Sequence, residues 1–179
     1  MDGPEANPVG GENIPPGPAP SPGLASRRAT IRAMTTENSV SAANRGDFPV
    51  LRRISTRWAD NDVYGHVNNV VYYSFFDTAV NGWLIEATGT DIRELPAIGL
   101  VAETSCRFLA PLSFPDPVVA GLALEHLGQS SVIYRIGLFR GEQTAPAALG
   151  RFVHVYVDQQ TREPTPVPAP IRSALAGLR

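Results

Sequence analysis

Two hydrophobic patterns follow one another along the middle of the chain. Between residues 48 and 58 every second position falls on one face, which carries Val50, Ile54 and Trp58, as in a β-strand. Residues 70–88 instead place apolar side chains, Tyr72 and Phe76 among them, at helical spacing, and a glycine follows as a typical helix stop. Apolar residues occupy most of the circumference of this second segment, so we expect a long and largely buried helix.

Four further strand-like runs follow the helix, and they are joined by short segments rich in turn residues. The runs cover residues 99–109, 117–127, 131–140 and 147–158. Because short connections join antiparallel strands, the pattern predicts an α+β fold in which a five-stranded antiparallel sheet wraps around one long helix. In the last run His154 and Tyr156 share one face, and we expect one face of this strand to cover the helix.

The two ends of the chain carry a different composition. Residues 1–46 are rich in Pro and Gly, and such a segment buries too little apolar surface to fold, so we expect disorder there. Met34 is a plausible alternative start. The folded domain is predicted over residues 47–166, and residues 167–179 are predicted to form a tail with about one helical turn.

Composition excludes several classes of protein. The net charge of −2 and the pI near 5.9 give no electrostatic basis for nucleic-acid binding. No run reaches the roughly 18 apolar residues of a membrane span. Cys106 is the only cysteine, which rules out an intrachain disulfide and fits a reducing, cytoplasmic location. The chain contains no lysine, so it cannot use lysine chemistry.

Polar residues crowd into the stretch RWADNDVYGHVNN, residues 57–69, immediately before the helix. One interpretation is local structure: Asp60 or Asp62 forms a turn and Asn68 caps the helix. A second is a metal site formed by His66 with the two aspartates, although no pair of ligands has a spacing that fixes its geometry. We predict no metal and no cofactor.

A third interpretation is catalytic. A helix N-terminus offers unpaired N–H groups to a developing oxyanion, and a nearby carboxylate can act on the same carbonyl group. Asp62 lies seven residues before Asn69, where the helix should begin, and Gly65 permits a tight loop between them. This arrangement suits acyl transfer.

The stretch RWADNDVYGHVNNVVYYSFFD resembles the opening of hot-dog-fold acyl-CoA thioesterases of the 4-hydroxybenzoyl-CoA thioesterase-like group. The later segment CRFLAPLSFPDPVVAGLALEHLGQSSV also resembles that group, so the likeness covers residues 48–166. The resemblance implies a hot-dog fold and at least a homodimer, with homotetramers common. It also implies an acyl-CoA or acyl-carrier-protein thioester as substrate.

Carried over residue by residue, the resemblance implies that Asp62 is the catalytic carboxylate and that the backbone N–H near Asn69 polarises the carbonyl. His66 matches a histidine of plant acyl-carrier-protein thioesterases, but those enzymes have Asn where this chain has Tyr64. His66 is therefore a catalytic candidate that could instead orient the loop or contact substrate. The remaining substrate-binding candidates lie in the same loop and at the start of the helix: Tyr64, Gly65, Asn68 and Tyr72.

Other groups receive structural interpretations. Asp77 near mid-helix is a second candidate carboxylate, which we expect to be buried. We expect Cys106 to be a small buried hydrophobe, and His126 and His154 to lie on sheet faces without chemistry. The predicted function is an acyl-CoA thioesterase. The alternatives are a non-catalytic acyl-CoA or acyl-carrier binding module and a dehydratase of the same fold.

Overall fold

The computed structural model describes residues 43–179, and the expectations for the first part of the chain, including Met34, lie outside them. The regular elements in chain order are β1 (Val50–Ile54), α1 (Asn69–Thr88), β2 (Ala97–Phe108), β3 (Val118–Leu127), β4 (Ser131–Arg140), β5 (Ala148–Asp158) and α2 (Ala169–Ala174). Short 3-10 turns lie at Arg45–Asp47, Trp58–Asp60, Ile92–Glu94 and Leu175–Leu178. The predicted order of one strand, one helix and four strands is confirmed.

The five strands form one antiparallel sheet in the order β1-β3-β4-β5-β2. β1 and β2 are therefore the two edges, and β2 pairs along its length with β5 only. The first strand is shorter than predicted, because the chain leaves the sheet after Ile54 and enters the 3-10 turn that begins at Trp58.

Helix α1 lies against the sheet and supplies much of the core. Its buried residues are Tyr72, Phe75, Phe76, Ala79, Val80, Trp83 and Leu84. The ring of Phe76 occupies the space where a side chain on residue 150 would lie, so the glycine at that position of β5 allows the close approach. The helix ends at Gly89, whose φ of 62° is left-handed, as the stop signal predicted. A central helix wrapped by five antiparallel strands is the hot-dog fold.

The opposite face of the sheet carries a smaller apolar cluster. Val119 and Ala123 alternate with core-facing neighbours along β3 and therefore point away from α1. Phe48, which precedes β1, covers them and contacts the ring of Phe139 edge-on at 5.6 Å between ring centres. The residues before β1 thus cover part of the outer face.

The C-terminal segment belongs to the core, whereas the sequence predicted a tail after residue 166. Val167, Ile171, Leu175 and Leu178 are all buried in the main apolar cluster. Their spacing of three to four residues places them on one side of α2 and the turn that follows it. This helical periodicity was not predicted, because the segment is short and is interrupted by prolines. None of the helices within residues 43–179 is both long enough and apolar enough to cross a membrane.

Candidate active site

The segment between β1 and α1 folds back on itself as a small hairpin, which we call the aspartate loop (residues 60–68). Several backbone contacts hold it. They include an isolated β-bridge between Asn61 and Val67, a hydrogen bond from the N–H of Asp62 to the carbonyl of His66 (2.8 Å), and one from the N–H of Asn68 to the carbonyl of Asp60 (2.8 Å). The loop and the start of α1 are therefore fixed to each other by backbone pairing.

Asp60 has a structural role. Its side chain is only 1% exposed, and one oxygen accepts a hydrogen bond from the backbone N–H of Arg57 at 2.7 Å. The other oxygen accepts from Nε and Nη2 of the Arg57 guanidinium, at 3.0 and 2.8 Å. Both carboxylate oxygens of Asp60 thus accept hydrogen bonds at the base of the loop. Asp60 differs from Asp62 in this respect.

Asp62 is half-buried and uses one carboxylate oxygen to hold the turn. Its Oδ1 accepts hydrogen bonds from the backbone N–H of Tyr64 (2.8 Å) and of His66 (3.3 Å). Gly65 has a φ of 80° in this turn, a conformation that favours glycine. Within residues 43–179 no donor reaches Oδ2, so the second oxygen of Asp62 keeps its lone pairs for another partner.

The start of α1 has one cap and one free donor. Oδ1 of Asn68 accepts a hydrogen bond from the N–H of Val70 at 3.2 Å, so the predicted cap is confirmed. The N–H of Val71 bonds to the carbonyl of Asn68 at 2.9 Å. The N–H of Asn69 finds no partner in the part of the chain that the structure describes. An unpaired N–H at a helix start is suited to bind a developing negative charge.

The remaining predicted site residues divide into two groups. Tyr64, Gly65 and His66 lie in the same exposed turn as Asp62, with Tyr64 81% exposed. Tyr72 is instead 3% exposed, and its ring packs edge-on against Phe108 at 4.9 Å. The structure therefore places three of these residues beside the carboxylate and Tyr72 in the core beneath the helix start.

Asp77 is exposed on α1 within this chain, which corrects the expectation that it is buried. The apolar residues of the helix face the sheet, and residue 77 falls on the other side. Its Oδ1 accepts a hydrogen bond from Nδ2 of Asn81 at 3.0 Å, one turn along the helix. Asp77 thus has an ordinary surface arrangement.

Sequence reasoning missed the role of Asn61. Oδ1 of Asn61 accepts a hydrogen bond from the backbone N–H of Phe114 at 3.0 Å, which ties the aspartate loop to the segment before β3. A polar side chain between two aspartates was the available signal. Cys106 packs against the core but is only partly buried, whereas a buried position was predicted, and burial raises the pKa of its thiol to about 11. Among residues 43–179 no three His, Cys, Asp or Glu side chains are grouped closely enough to hold a metal ion.

Comparisons with known proteins agree with this architecture. Residues 56–175 match the model of the thioesterase-like superfamily. The PA5185 protein of Pseudomonas aeruginosa is 49% identical, with 76% of this chain and 95% of that one covered, and a TM-score of 0.74. PA2801, described as a putative thioesterase of Pseudomonas aeruginosa, is 31% identical, with 72% and 98% covered and a TM-score of 0.66.

A third solved structure is that of the gentisyl-coenzyme A thioesterase BH1999, which is 25% identical. The match covers 70% of this chain and 99% of that one, with a TM-score of 0.62. No curated protein sequence matches the chain. The fold and the family match define a hot-dog thioester hydrolase. The chain belongs to the thioesterase-like superfamily.

Proposed function

We propose that this protein is an acyl-CoA thioesterase in which Asp62 acts on the thioester carbonyl and the N–H of Asn69 stabilises the oxyanion. The observation that carries the proposal is the shared geometry of the aspartate loop. The loop's backbone pairing fixes a carboxylate with one unpaired oxygen relative to a helix start with one unpaired N–H. Acyl transfer can use two such groups together, one to act on the carbonyl carbon and one to stabilise the oxyanion.

The reaction converts a thioester and water into a carboxylic acid and a free thiol. Asp62 either adds to the carbonyl carbon, giving a mixed anhydride that water then hydrolyses, or removes a proton from the attacking water. In both cases the carbonyl oxygen becomes negatively charged and accepts the hydrogen bond of the Asn69 N–H. As the carbonyl re-forms, the thiolate leaves. The thiolate then takes up a proton. His66, in the same turn, is proposed to orient the loop or contact the substrate.

Coenzyme A thioesters are the proposed substrates, and the substrate named for the relative BH1999 supports this choice. The exposed tip of the aspartate loop, Tyr64 and Gly65, is the proposed contact for the pantetheine arm, next to Asn68. The lone thiol of Cys106 fits a reducing compartment, and we place the enzyme in the cytoplasm on that basis.

A homodimer through β2 completes the proposal. β2 is an edge strand of 12 residues, and its exposed apolar residues include Leu100, Val101 and Phe108. A long edge strand with apolar side chains is a template for pairing with another strand. Two copies of β2 paired antiparallel about a twofold axis would satisfy the free backbone groups of both edges.

The test is thiol release from a panel of aliphatic and aromatic acyl-CoAs by the wild type and by Asp62→Asn. The amide keeps the oxygen that holds the turn but removes the negative charge. We expect hydrolysis to fall by about a hundredfold or more, since general-base catalysis contributes roughly 10²–10⁴-fold. Asp77→Asn, the same change on the exposed face of α1, is the matched control and should retain wild-type turnover.

Each other outcome has a definite meaning. Full turnover by folded Asp62→Asn would remove Asp62 from the chemistry. Loss of turnover in Asp77→Asn alone would move the chemistry to α1. Acyl-CoA binding by the wild type without hydrolysis would make the protein a non-catalytic binding module and overturn the proposal.

A further inference from the structure

A partly open cavity of about 180 Å³ lies between the second half of α1, the start of β2 and the end of β5. Its walls are mainly apolar and include Leu84, Ile98 and Ile171. Four polar side chains also line it: Asn81, Arg93, His154 and Tyr156. A cavity of about 150 Å³ with apolar walls can hold benzene, so this one has room for roughly six or more carbon-sized atoms.

His154 is the buried polar group of this cavity. It is 2% exposed, and its Nδ1 has no hydrogen-bond partner among residues 43–179. The imidazole is surrounded by the rings of Tyr134, Phe152 and Tyr156, with ring centres 5.1 to 6.1 Å away. A buried polar side chain without a hydrogen-bond partner lowers the stability of the folded protein. Where such a side chain lines a cavity, a ligand that binds there can supply the missing partner.

Three of the four polar side chains of the cavity are neutral at physiological pH, and the fourth, Arg93, is a cation. Burial lowers the pKa of His154 to about 4, and burial raises the pKa of Tyr156 to about 12. The side chain of Asn81 is an uncharged amide. The guanidinium of Arg93 is already paired with Asp91, since its Nε donates a hydrogen bond to Oδ1 at 2.8 Å. Around the buried His154 the cavity is therefore suited to an uncharged hydrogen-bonding group, and the one cation of the lining already has a carboxylate partner.

The cavity lies far from the aspartate loop of its own chain. Asn81 is twelve residues after Asn69 along α1, which corresponds to about 18 Å at the rise of an α-helix. The beginning of α1 lies beside the end of β2, where Tyr72 contacts Phe108, and its second half lies beside the beginning of β2, at Ala97. Helix α1 and strand β2 thus run in opposite directions.

This arrangement has a consequence in the dimer. If two β2 strands pair antiparallel about a twofold axis, the beginning of each strand lies beside the end of the other. The cavity of one protomer then lies at the same end of the dimer as Asp62 and Asn69 of its partner. The inference rests on the proposed thioesterase function and on the proposed dimer.

We propose that this cavity binds the far end of the acyl group whose thioester is held by the aspartate loop of the other protomer. The preferred acyl group is apolar along its length and carries one neutral hydrogen-bonding group, such as a hydroxyl, at its far end. His154 is the specificity-determining residue, because its ring bonds that group. Hydrolysis itself still takes place at Asp62.

The first experiment compares hexanoyl-, octanoyl- and decanoyl-CoA with their ω-hydroxy counterparts and with octanedioyl-CoA, which ends in a carboxylate. We expect kcat/KM for the best ω-hydroxy substrate to exceed that of its unsubstituted partner by about tenfold or more, because a site built for a hydroxyl leaves polar groups unpaired without it. Octanedioyl-CoA should be the poorest of the octanoyl set.

The second experiment changes His154 to Phe, which keeps an aromatic ring and removes both nitrogens. We expect the ratio of kcat/KM between the hydroxylated and the unsubstituted substrate to fall to about one, with the change mainly in KM, because an apolar ring cannot form a hydrogen bond with the hydroxyl. His126→Phe is the matched control, since it makes the same change at an exposed position of β3. That variant should keep the preference. Thermal unfolding checks that both variants fold.

The third experiment tests which protomer supplies the cavity. Ala97→Leu should fill it and lower kcat/KM for the ω-hydroxyoctanoyl substrate more than for butanoyl-CoA. A heterodimer of Ala97→Leu and Asp62→Asn protomers, purified through two different tags, retains one site with an intact carboxylate and an open partner cavity. We expect about half of wild-type turnover per dimer, because one of two symmetric sites survives.

The outcomes separate the two proposals. No hydrolysis of any acyl-CoA by the wild type overturns the thioesterase proposal and this inference with it. Hydrolysis without a hydroxyl preference, or a preference that His154→Phe leaves unchanged, overturns this inference alone. A heterodimer as inactive as both parent homodimers would assign the cavity to the aspartate loop of its own chain and overturn the arrangement between protomers.

Discussion

Asn68 accepts a hydrogen bond from the N–H of Val70 at 3.2 Å, and the N–H of the intervening Asn69 finds no partner within residues 43–179. The cap therefore satisfies one donor of the helix start and leaves its neighbour available. The same residue, Asn68, is tied through its own N–H to the carbonyl of Asp60. The position of the free N–H of Asn69 is thus fixed, because the neighbouring Asn68 is bonded both to Asp60 in the aspartate loop and to Val70 in the helix.

Replacing Asn69 by proline should delete this donor while keeping the helix. Proline is favoured at the first helical position, and Asn68 already has the extended backbone (φ −58°, ψ 137°) that a residue before proline adopts. We expect kcat to fall by about 10²–10³-fold, the usual cost of losing one oxyanion donor. The measurement is kcat for the best acyl-CoA of the panel, with circular dichroism to confirm the helix.

Asn69→Ala separates the side chain from the backbone in that experiment. It keeps the N–H, and its loss of kcat should be much smaller than that of the proline variant. A folded Asn69→Pro protein with kcat close to that of Asn69→Ala would show that another group stabilises the oxyanion.

Protonation of His154 should make the protein sensitive to acid. Burial lowers the pKa of His154 from 6.5 to about 4, so between these values the unfolded chain binds a proton that the folded one does not. The contribution of neutral His154 to the free energy of unfolding is therefore fully present above pH 6.5 and is lost as the pH drops toward 4. We expect a loss of about 2–3 kcal/mol in the free energy of unfolding between pH 7 and pH 4.5, at 1.36 kcal/mol per pKa unit.

Urea unfolding of the wild type and of His154→Phe at both pH values measures this contribution. The Phe variant lacks the titrating group and should lose about 2–3 kcal/mol less than the wild type over the same interval. His126→Phe, whose site is exposed, should follow the wild type. Equal losses in all three proteins would assign the acid sensitivity to other groups.

A charge in the middle of β2 should separate the proposed dimer. Val101 is 46% exposed on this edge strand, and Glu103 lies two residues further along. Val101→Glu would bring two additional carboxylates close to the twofold axis, where like charges repel and apolar contact is lost. We expect sedimentation velocity to show monomers at micromolar concentrations at which the wild type is dimeric.

Leu51→Glu is the matched control for the edge strand. Leu51 is 43% exposed on β1, at the other edge of the sheet, and its replacement should leave the dimer intact. Dissociation by Leu51→Glu instead of Val101→Glu would place the interface at β1 and contradict pairing through β2.

Much of the fold was predictable because its signals are local. The helix over Asn69–Thr88 was predicted within one residue, since both its apolar periodicity and its terminal glycine are visible in the sequence. β4, at Ser131–Arg140, was predicted with its observed bounds because turn residues flank it on both sides. The Asn68 cap was likewise visible, as part of the local-structure interpretation of residues 57–69.

Features that depend on distant segments were not predictable in the same way. Leu178 is buried only because the sheet and α1 leave space for the last turn of the chain. Asp62 was selected as the catalytic carboxylate from its place before the helix, but the structural role of Asp60 was not predictable, because it depends on the hydrogen bonds from Arg57. His154 was expected to lie on a sheet face without chemistry, and its cavity exists only once α1 and β2 are packed beside β5.

The burial of Leu178 has a consequence for biosynthesis. During translation, β1 to β5 emerge from the ribosome before the last core side chain does. Until residue 178 has emerged, the site that this leucine fills lies open, and the nascent domain exposes apolar surface. Since a domain generally folds as a unit, we expect its folding to be completed only after the ribosome has released this segment, which leaves a period in which a chaperone can bind.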